Sequence, residues 1–362
     1  MLGESGNYPS GTVCFFMPQS LTLTAAADDD GRRLDRILRK ALPDMPLSAI
    51  HSLLRKRRIL VDGVPGKPAD RVRTGSAIQV PLIPAGTGAN PSPAKAETTT
   101  PAKKLPALDI LREAAGLLIL NKPAGLAVHG PDSLETMVQA YLAGKRSPSL
   151  SFKPGPLHRL DKPTSGIIVF STSLGGAQNF SALLRERRIR KTYLAVLDGL
   201  LDSDETWEDT LVRDRDLGKS FTARETSLQI ARETSLQIAR ETSLQGEDGP
   251  KEARTRVYPL AQSAITKTTL ARLEIDTGRT HQIRAQAAAH GHPLAGDRKY
   301  GGSAQQPGFL LHAWTLDLPD QSFPGLPPHL EAPVPDKFQR RIQELFDHEV
   351  TVTFFMEKGV FL

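Results

Sequence analysis

Between residues 34 and 42 the apolar positions recur at intervals of three and four, as Leu34, Ile37, Leu38 and Leu42. That spacing lays them along one face of a helix, and Pro43 and Pro46 end it. A second helix beginning near Pro46 turns Leu47, Ile50, Leu53 and Leu54 inward and finishes in Arg55-Lys56-Arg57-Arg58. The period then changes. Ile59-Leu60-Val61, the turn pair Asp62-Gly63 and the apolar positions of 78–80 predict a short hairpin-rich sheet. Residues 31–83 are therefore expected to be a small α-plus-β module. Residues 1–30 show no clear periodicity and are expected to be an N-terminal tail.

The stretch 84–106, PAGTGANPSPAKAETTTPAKKLP, holds five prolines and two glycines and little that is apolar beyond alanine. Such a composition predicts a disordered linker. Residues 107–345 are expected to form a larger domain. Its short apolar runs at 117–120, 167–170, 193–197 and 270–275 read as strands, and 281–290 and 335–346 as helices. The strands do not alternate regularly with long helices, which favours an α+β fold with a mixed, mostly antiparallel sheet over a doubly wound parallel one. Residues 346–362 are left as a C-terminal tail. An octapeptide, ARETSLQI, occupies 223–230 and 231–238 and returns one residue short at 239–245. Three octads are too short to build a stacked-repeat fold, and their three Arg and three Glu balance. An insertion in a surface loop of the larger domain is the expectation for 223–245.

Composition narrows the function classes. Of 362 residues, 39% are hydrophobic and 24% charged, so the chain can build a sizeable core. The net charge is +6, and residues 31–73 hold twelve Lys or Arg against four Asp or Glu. The positive charge belongs to the small module. Arg55, Lys56, Arg57 and Arg58 suit a helix C-terminus, but with five more cations on the preceding helix they exceed what capping needs. A nucleic-acid contact is the expected use. The single cysteine, Cys14, leaves no intramolecular disulfide and no cysteine-built zinc site. No stretch approaches the roughly 18 apolar residues of a membrane span, and no secretory signal precedes the module. A cytoplasmic protein with no membrane contact is expected. No GxGxxG or Walker pattern is present, so no nucleotide cofactor is expected.

The segment HRLDKPTSG, residues 158–166, sets Asp161 between Arg159 and Lys162 and runs into the apolar stretch 167–170. Pro163 and the pair Ser165-Gly166 predict a rigid turn entering a buried strand. On composition the carboxylate is either a turn cap beside an ion pair or a group doing chemistry, and both readings stand. A Ser/His/Asp hydrolase using Ser165, His158 or His281, and Asp161 lacks the G-x-S-x-G elbow. His281, His290, His292 and His312 have no carboxylate at metal-site spacing, so no metal is expected.

Taken together, HRLDKPTSG, KTYLAVLDG (191–199), GRTHQIR (278–284), GHPLAGDRKYG (291–301), NKPAGLAVHG (121–130) and LLHAWTL (310–316) resemble, in order, the motifs of the RluA-type RNA pseudouridine synthases. The likeness leans towards the RluC-like branch, with RluD-like next. The basic module resembles the small RNA-binding domain named after ribosomal protein S-four. The resemblance implies uridine-to-pseudouridine isomerisation in structured RNA, with 23S ribosomal RNA the expected substrate, and a monomer that uses no cofactor. It implies that Asp161 is the essential carboxylate and that Tyr193 stacks on the target uracil and takes the C5 proton. Arg284 would pair with Asp161 and keep it ionised, Arg159 would fill the place of the flipped base, and Leu311 would pack in the pocket. A transfer-RNA substrate, or a non-catalytic RNA-binding or ribosome-assembly protein, is the competing reading.

Overall fold

The structure, a computed structural model, describes residues 20–81, 106–145, 149–214, 218–222, 249–304 and 308–346. These divide into two units: 20–81 joined by 149–153, and 106–145 joined by the described residues from 154 onward. The linker 84–106 is described only at residue 106, and the octads and the C-terminal stretch 347–362 lie outside the described residues.

In the first unit, β1 (Ser20–Thr24), β2 (Leu60–Val61), β3 (Val64–Pro65) and β4 (Ala77–Pro81) form an antiparallel sheet in the order β1-β4-β2-β3. Helices α1 (Leu34–Ala41) and α2 (Leu47–Arg55) pack on it. Leu34, Ile37 and Leu38 of α1 meet Ile50, Leu53 and Leu54 of α2 and Ile59, Ile78 and Val80 in one core. Leu47 departs from the expectation: at the first position of α2 it is 45% exposed.

The tail assigned to 1–30 is also corrected at its C-terminal end. β1 pairs with β4 from Ser20↔Pro81 to Thr24↔Ala77. As an edge strand, β1 buries little and leaves Leu21 largely exposed, so no periodicity marks it. Asp29 is fully buried. Its carboxylate accepts the N–H groups of Ala26, Leu150 and Ser151 at 2.9–3.0 Å and the hydroxyls of Ser149 and Ser151. Most of those partners lie about 120 residues further along the chain, so no local pattern could announce them.

The second unit is built on one mixed sheet. Its strands are β5 (Ile110–Ala114), β6 (Leu117–Lys122), β7 (Gly155–Pro156), β8 (Ser165–Ser171), β9 (Arg190–Asp198), β10 (Glu205–Asp214), β11 (Lys219–Thr222), β12 (Lys251–Ser263), β13 (Thr268–Ile275), β14 (Leu311–Asp317) and β15 (His329–Glu331). The main order is β11-β10-β12-β13-β9-β14-β8-β6-β5, with β15 on β14 and β7 on β8. Every pair is antiparallel except β14 with β8. The expected mixed, mostly antiparallel α+β fold is therefore present.

Both faces of the central strands are covered, which explains their unbroken apolar runs. Leu118 and Leu120 of β6 and Phe170 of β8 join one core with α3 (Leu134–Leu142). Leu117, Ile119, Ile167 and Val169 point the other way, against α4 (Leu174–Arg185). On β9, Leu194 and Val196 likewise meet α6 (Asp336–Leu345), while α5 (Gln282–Ala289) sets Ala285 against Leu211 and Ala253.

The parallel β14–β8 pair is short, His312↔Ser165 and Ala313↔Gly166. Gly166 has φ +106°, and a Cβ there would stand 2.1 Å from the Ala313 carbonyl oxygen. Only glycine permits this approach, and it seats the loop that carries Asp161.

Burial acts to raise the Asp29 pKa, but the hydrogen bonds from Ser151, Leu150, Ser149 and Ala26 outweigh it and hold the carboxyl below its ordinary value. Its stabilisation is therefore present above the unfolded-state pKa and is lost as pH falls through the lower folded one. Asp29→Ala, which strands several buried donors, should cost about 2–4 kcal/mol. Hydrogen exchange on the full chain should show protection of the β1 and β4 amides reduced by roughly 30-fold or more; unchanged protection would remove this carboxylate from the unit's stability.

Candidate active site

Asp161 lies in the segment between β7 and β8, where its carbonyl accepts the Thr164 N–H at 3.0 Å and closes a turn. The turn is clamped from below. Lys122, at the end of β6, is wholly buried, and its Nζ donates to the carbonyls of Pro123, Leu126 and Lys162 at 2.8–3.2 Å. The Lys162 carbonyl also accepts the Gly125 N–H at 2.8 Å. One ammonium thus ties the 123–126 loop to the Asp161 turn. Burial pushes the Lys122 pKa down to about 8, and the negative charge of Asp161 opposes that shift.

Arg284 reaches the same carboxylate from α5. Its NH1 donates to Asp161 Oδ2 at 3.0 Å, while Nε and NH2 grip Asp297 at 2.6 and 2.9 Å. The guanidinium lies between the rings of Phe309 and Tyr300, 4.6 and 4.9 Å from their centroids. Asp297, 2% exposed at its side chain, fixes the fork, and Asp161, 14% exposed, receives the remaining arm. Burial would lower the Arg284 pKa, but Asp297 and then Asp161 raise it above its usual value. Asp161 Oδ1 takes no hydrogen bond from a described residue and is not sealed from solvent. One carboxylate oxygen is anchored and the other is free to react.

His281 precedes α5 in a left-handed conformation, φ +54°. Its Nδ1 lies 2.9 Å from the Tyr300 hydroxyl, which also accepts the Ser220 N–H at 2.8 Å. Its Nε2 lies 3.7 Å from Asp161 Oδ2, and a proton kept there by the carboxylate leaves Nδ1 to accept the Tyr300 hydroxyl. Burial pushes the His281 pKa down to about 4 against the pull of Asp161, so the ring is neutral at pH 7. The unusual backbone at His281 is thus part of a hydrogen-bonded support behind the carboxylate.

A cleft of about 790 Å³ opens over these groups. Tyr193 of β9, Leu311 of β14 and Arg159 line it together with Asp161 and Arg284. Tyr193 is 6% exposed, and burial followed by the charge of Asp161 pushes its pKa far up, so the phenol is neutral. Arg159 is exposed at the rim, its NH1 3.4 Å from Thr280 Oγ1. Five of the sequence-chosen residues therefore converge on one cavity. The other four, Arg55, Lys56, Arg57 and Arg58, are exposed at the C-terminal end of α2 in the other unit, where Arg57 has φ +57°.

The serine hydrolase arrangement is excluded by geometry. Ser165 Oγ donates to His312 Nδ1 at 2.9 Å, and His312 Nε2 donates to the Ala332 carbonyl at 3.2 Å, both within the core. His158 Nε2 accepts the Val169 N–H at 3.1 Å. Neither His158 nor His281 activates Ser165. The four histidines weighed for a metal disperse: His281 serves Asp161 and Tyr300, His290 pairs with Asp209, His292 meets the Asp198 carbonyl, and His312 holds Ser165.

Asp297, Tyr300 and Lys122 were not singled out from sequence. The first two sit in GHPLAGDRKYG and the third in NKPAGLAVHG, so the motifs contained them. Nothing in residue type said which side chain would aim at Asp161.

Comparison with known proteins bears on this arrangement. The family model described as RNA pseudouridylate synthase matches residues 116–289. The chain is 31% identical over 339 residues to "Ribosomal large subunit pseudouridine synthase D" of Xanthomonas campestris pv. campestris, covering 87% of this chain and 89% of that one. It is 30% identical over 343 residues to "Ribosomal large subunit pseudouridine synthase C" of Escherichia coli O157:H7, covering 91% and 97%. The protein of the latter name from Haemophilus influenzae is 32% identical over 283 residues, covering 77% and 78%.

The two carboxylates on Arg284 differ in what they support. Asp297→Ala leaves a buried guanidinium with its main partner gone and should cost about 3–5 kcal/mol. Asp161→Asn keeps the Asp297 fork and should cost less than about 1 kcal/mol. Thermal melts of the two variants against the wild type measure the contrast, and equal losses would contradict it.

Proposed function

This chain belongs to the RNA pseudouridylate synthase family, and we propose that its substrate is large-subunit ribosomal RNA, in which it isomerises uridine to pseudouridine. The observation that carries the reading is the Asp161 carboxylate, held through Oδ2 by a buried arginine and left open at Oδ1 in a cation-lined cleft beside Tyr193.

The reaction breaks C1′–N1, turns the uracil and joins C5 to C1′. Electrons balance, no phosphate bond breaks, and the proton lost from C5 is matched by one gained at N1, so the proposal invokes no cofactor. The target base must leave its stack, which costs a few kcal/mol. Arg159 at the rim is placed to occupy the vacated position, and the ring of Tyr193 and the side chain of Leu311 receive the base. Asp161 Oδ1 acts on the ribose, where a fixed carboxylate is worth most in a site that excludes water. Arg284 holds that carboxylate, and Asp297 holds Arg284. A neutral phenol removes the C5 proton in relay: the hydroxyl of Tyr193 accepts it while giving its own proton to Asp161. Arg55, Lys56, Arg57 and Arg58 supply phosphate contacts that add affinity without base readout. We propose that the enzyme works in this way as a cytoplasmic monomer.

Incubating unmodified ribosomal RNA with the protein, then mapping pseudouridine by chemical labelling and reverse-transcription stops, tests this directly. New stops are expected in large-subunit RNA with the wild type, and Asp161→Asn should lower the rate by about 10³-fold or more. Stops confined to transfer RNA would replace the substrate, and none on any RNA would refute the activity. Arg284→Met should lose about 10²-fold in kcat. Charge reversal at Arg57 and Arg58 should weaken binding and flatten its salt dependence by roughly one to two units of slope.

A further inference from the structure

Lys191 is a buried cation with no hydrogen-bond or ion-pair partner among the described residues. It lies at the start of β9, in register with Ile275 of β13 and Leu316 of β14, and is 6% exposed. Among the described residues its Nζ makes no hydrogen bond and no ion pair, yet the atom is not sealed from solvent. It opens into the cleft that Asp161 and Tyr193 line. Gly278 gives it room, since a Cβ there would stand 3.3 Å from Nζ. Burial pushes its pKa down to about 8, Asp276 pulls the other way and Arg279 adds to the fall. The ammonium therefore remains mostly charged at pH 7.

An unpaired buried charge costs stability. Its retention beside a reaction cleft points to a partner that arrives with the substrate. The neighbours indicate that partner's sign. Arg185, the last residue of α4, and Arg187, two residues beyond it, are exposed and have no ion pair among the described residues; Arg279 spends only its Nε, on the Glu252 carbonyl at 3.2 Å. A neutral uracil carbonyl would leave the Lys191 charge uncompensated, whereas a phosphate would neutralise it. Position gives the scale. Residues two apart on a strand share a face and stand about 6.7 Å apart, so Lys191 lies one nucleotide-sized step from the ring of Tyr193.

We propose that Lys191, with Arg279 at the rim, forms a subsite for an RNA backbone phosphate adjacent to the target uridine, and that Arg185 and Arg187 continue the phosphate path out of the cleft. This rests on the reading that Tyr193 faces the target uracil. Lys191 binds the ground state and the transition state alike: it holds the nucleotide's backbone in the cleft and takes no part in the bond changes.

The test pairs Lys191→Met and Lys191→Arg with a substrate RNA carrying single neutral methylphosphonates at successive phosphates around the modified uridine. KM, kcat and melting temperature are measured for each protein. Lys191→Met should raise KM about tenfold or more with kcat within about twofold, while melting no lower than the wild type, because an unpaired buried charge has been removed. Lys191→Arg should restore most of the affinity. One methylphosphonate flanking the target should raise the wild-type KM by a similar factor and add less than about twofold to Lys191→Met. An unchanged KM in Lys191→Met, or penalties that multiply at every phosphate, would overturn the subsite. A lower melting temperature with no phosphate-specific effect would make Lys191 structural. Wild-type protein that forms no pseudouridine would defeat the activity instead, and the direct affinity of the same RNAs for each variant would still read the phosphate contact.

Discussion

Arg284 bridges two carboxylates that are separated by 136 residues in the chain, and the site depends on that bridge. The guanidinium is nearly buried, so it must be paired. Asp297 meets that need with two parallel hydrogen bonds, the geometry a planar fork favours. With the fork fixed, the third nitrogen can only point at Asp161. The orientation of the Asp161 carboxylate is therefore set by an ion pair to Asp297, which does not itself line the cleft.

The backbone makes that meeting possible. Asp161 rides on a turn held by a single buried ammonium, Lys122, and delivered by a strand that passes β14 at glycine-only distance. Arg284 rides on a helix whose alanines let it pack tightly, and whose first turn is shaped by Gln282 accepting the Thr277 hydroxyl and the Arg279 N–H. Lys122 Nζ and all three guanidinium nitrogens of Arg284 are hydrogen-bonded in these supports, whereas Asp161 Oδ1 and Lys191 Nζ take no partner among the described residues and, with the Tyr193 ring, face the cleft. Rigid surroundings and open polar groups are what pre-organisation for the proposed anionic, flipped nucleotide requires.

Charge is divided by the same logic. Six Arg or Lys side chains line the cleft against two carboxylates. Asp161 shares the cleft with these cations, whose field suits the phosphate backbone of the proposed substrate. Stability is sacrificed locally, in a buried lysine that no described residue pairs and a histidine in a left-handed conformation. A well-covered sheet carries those costs.

Much of this was legible in the chain. The α1 and α2 faces follow from apolar periodicity, and β6, β8 and β9 from unbroken apolar runs, because both faces of those strands are buried. β1, β10 and β12 escaped notice because edge or one-sided strands alternate weakly among charged residues. The residues proposed for catalysis, Asp161, Tyr193 and Arg284, were identifiable by motif, since the proposed chemistry restricts the choice of residue. Which carboxylate holds Arg284, why Lys122 is buried, that Asp29 caps a segment about 120 residues away, and that Ser165 serves His312 rather than a substrate were decided only by tertiary structure. The reason is physical: sequence determines what a side chain can do and which way a local element faces, but a long-range hydrogen bond exists only once the sheet has brought its two ends together.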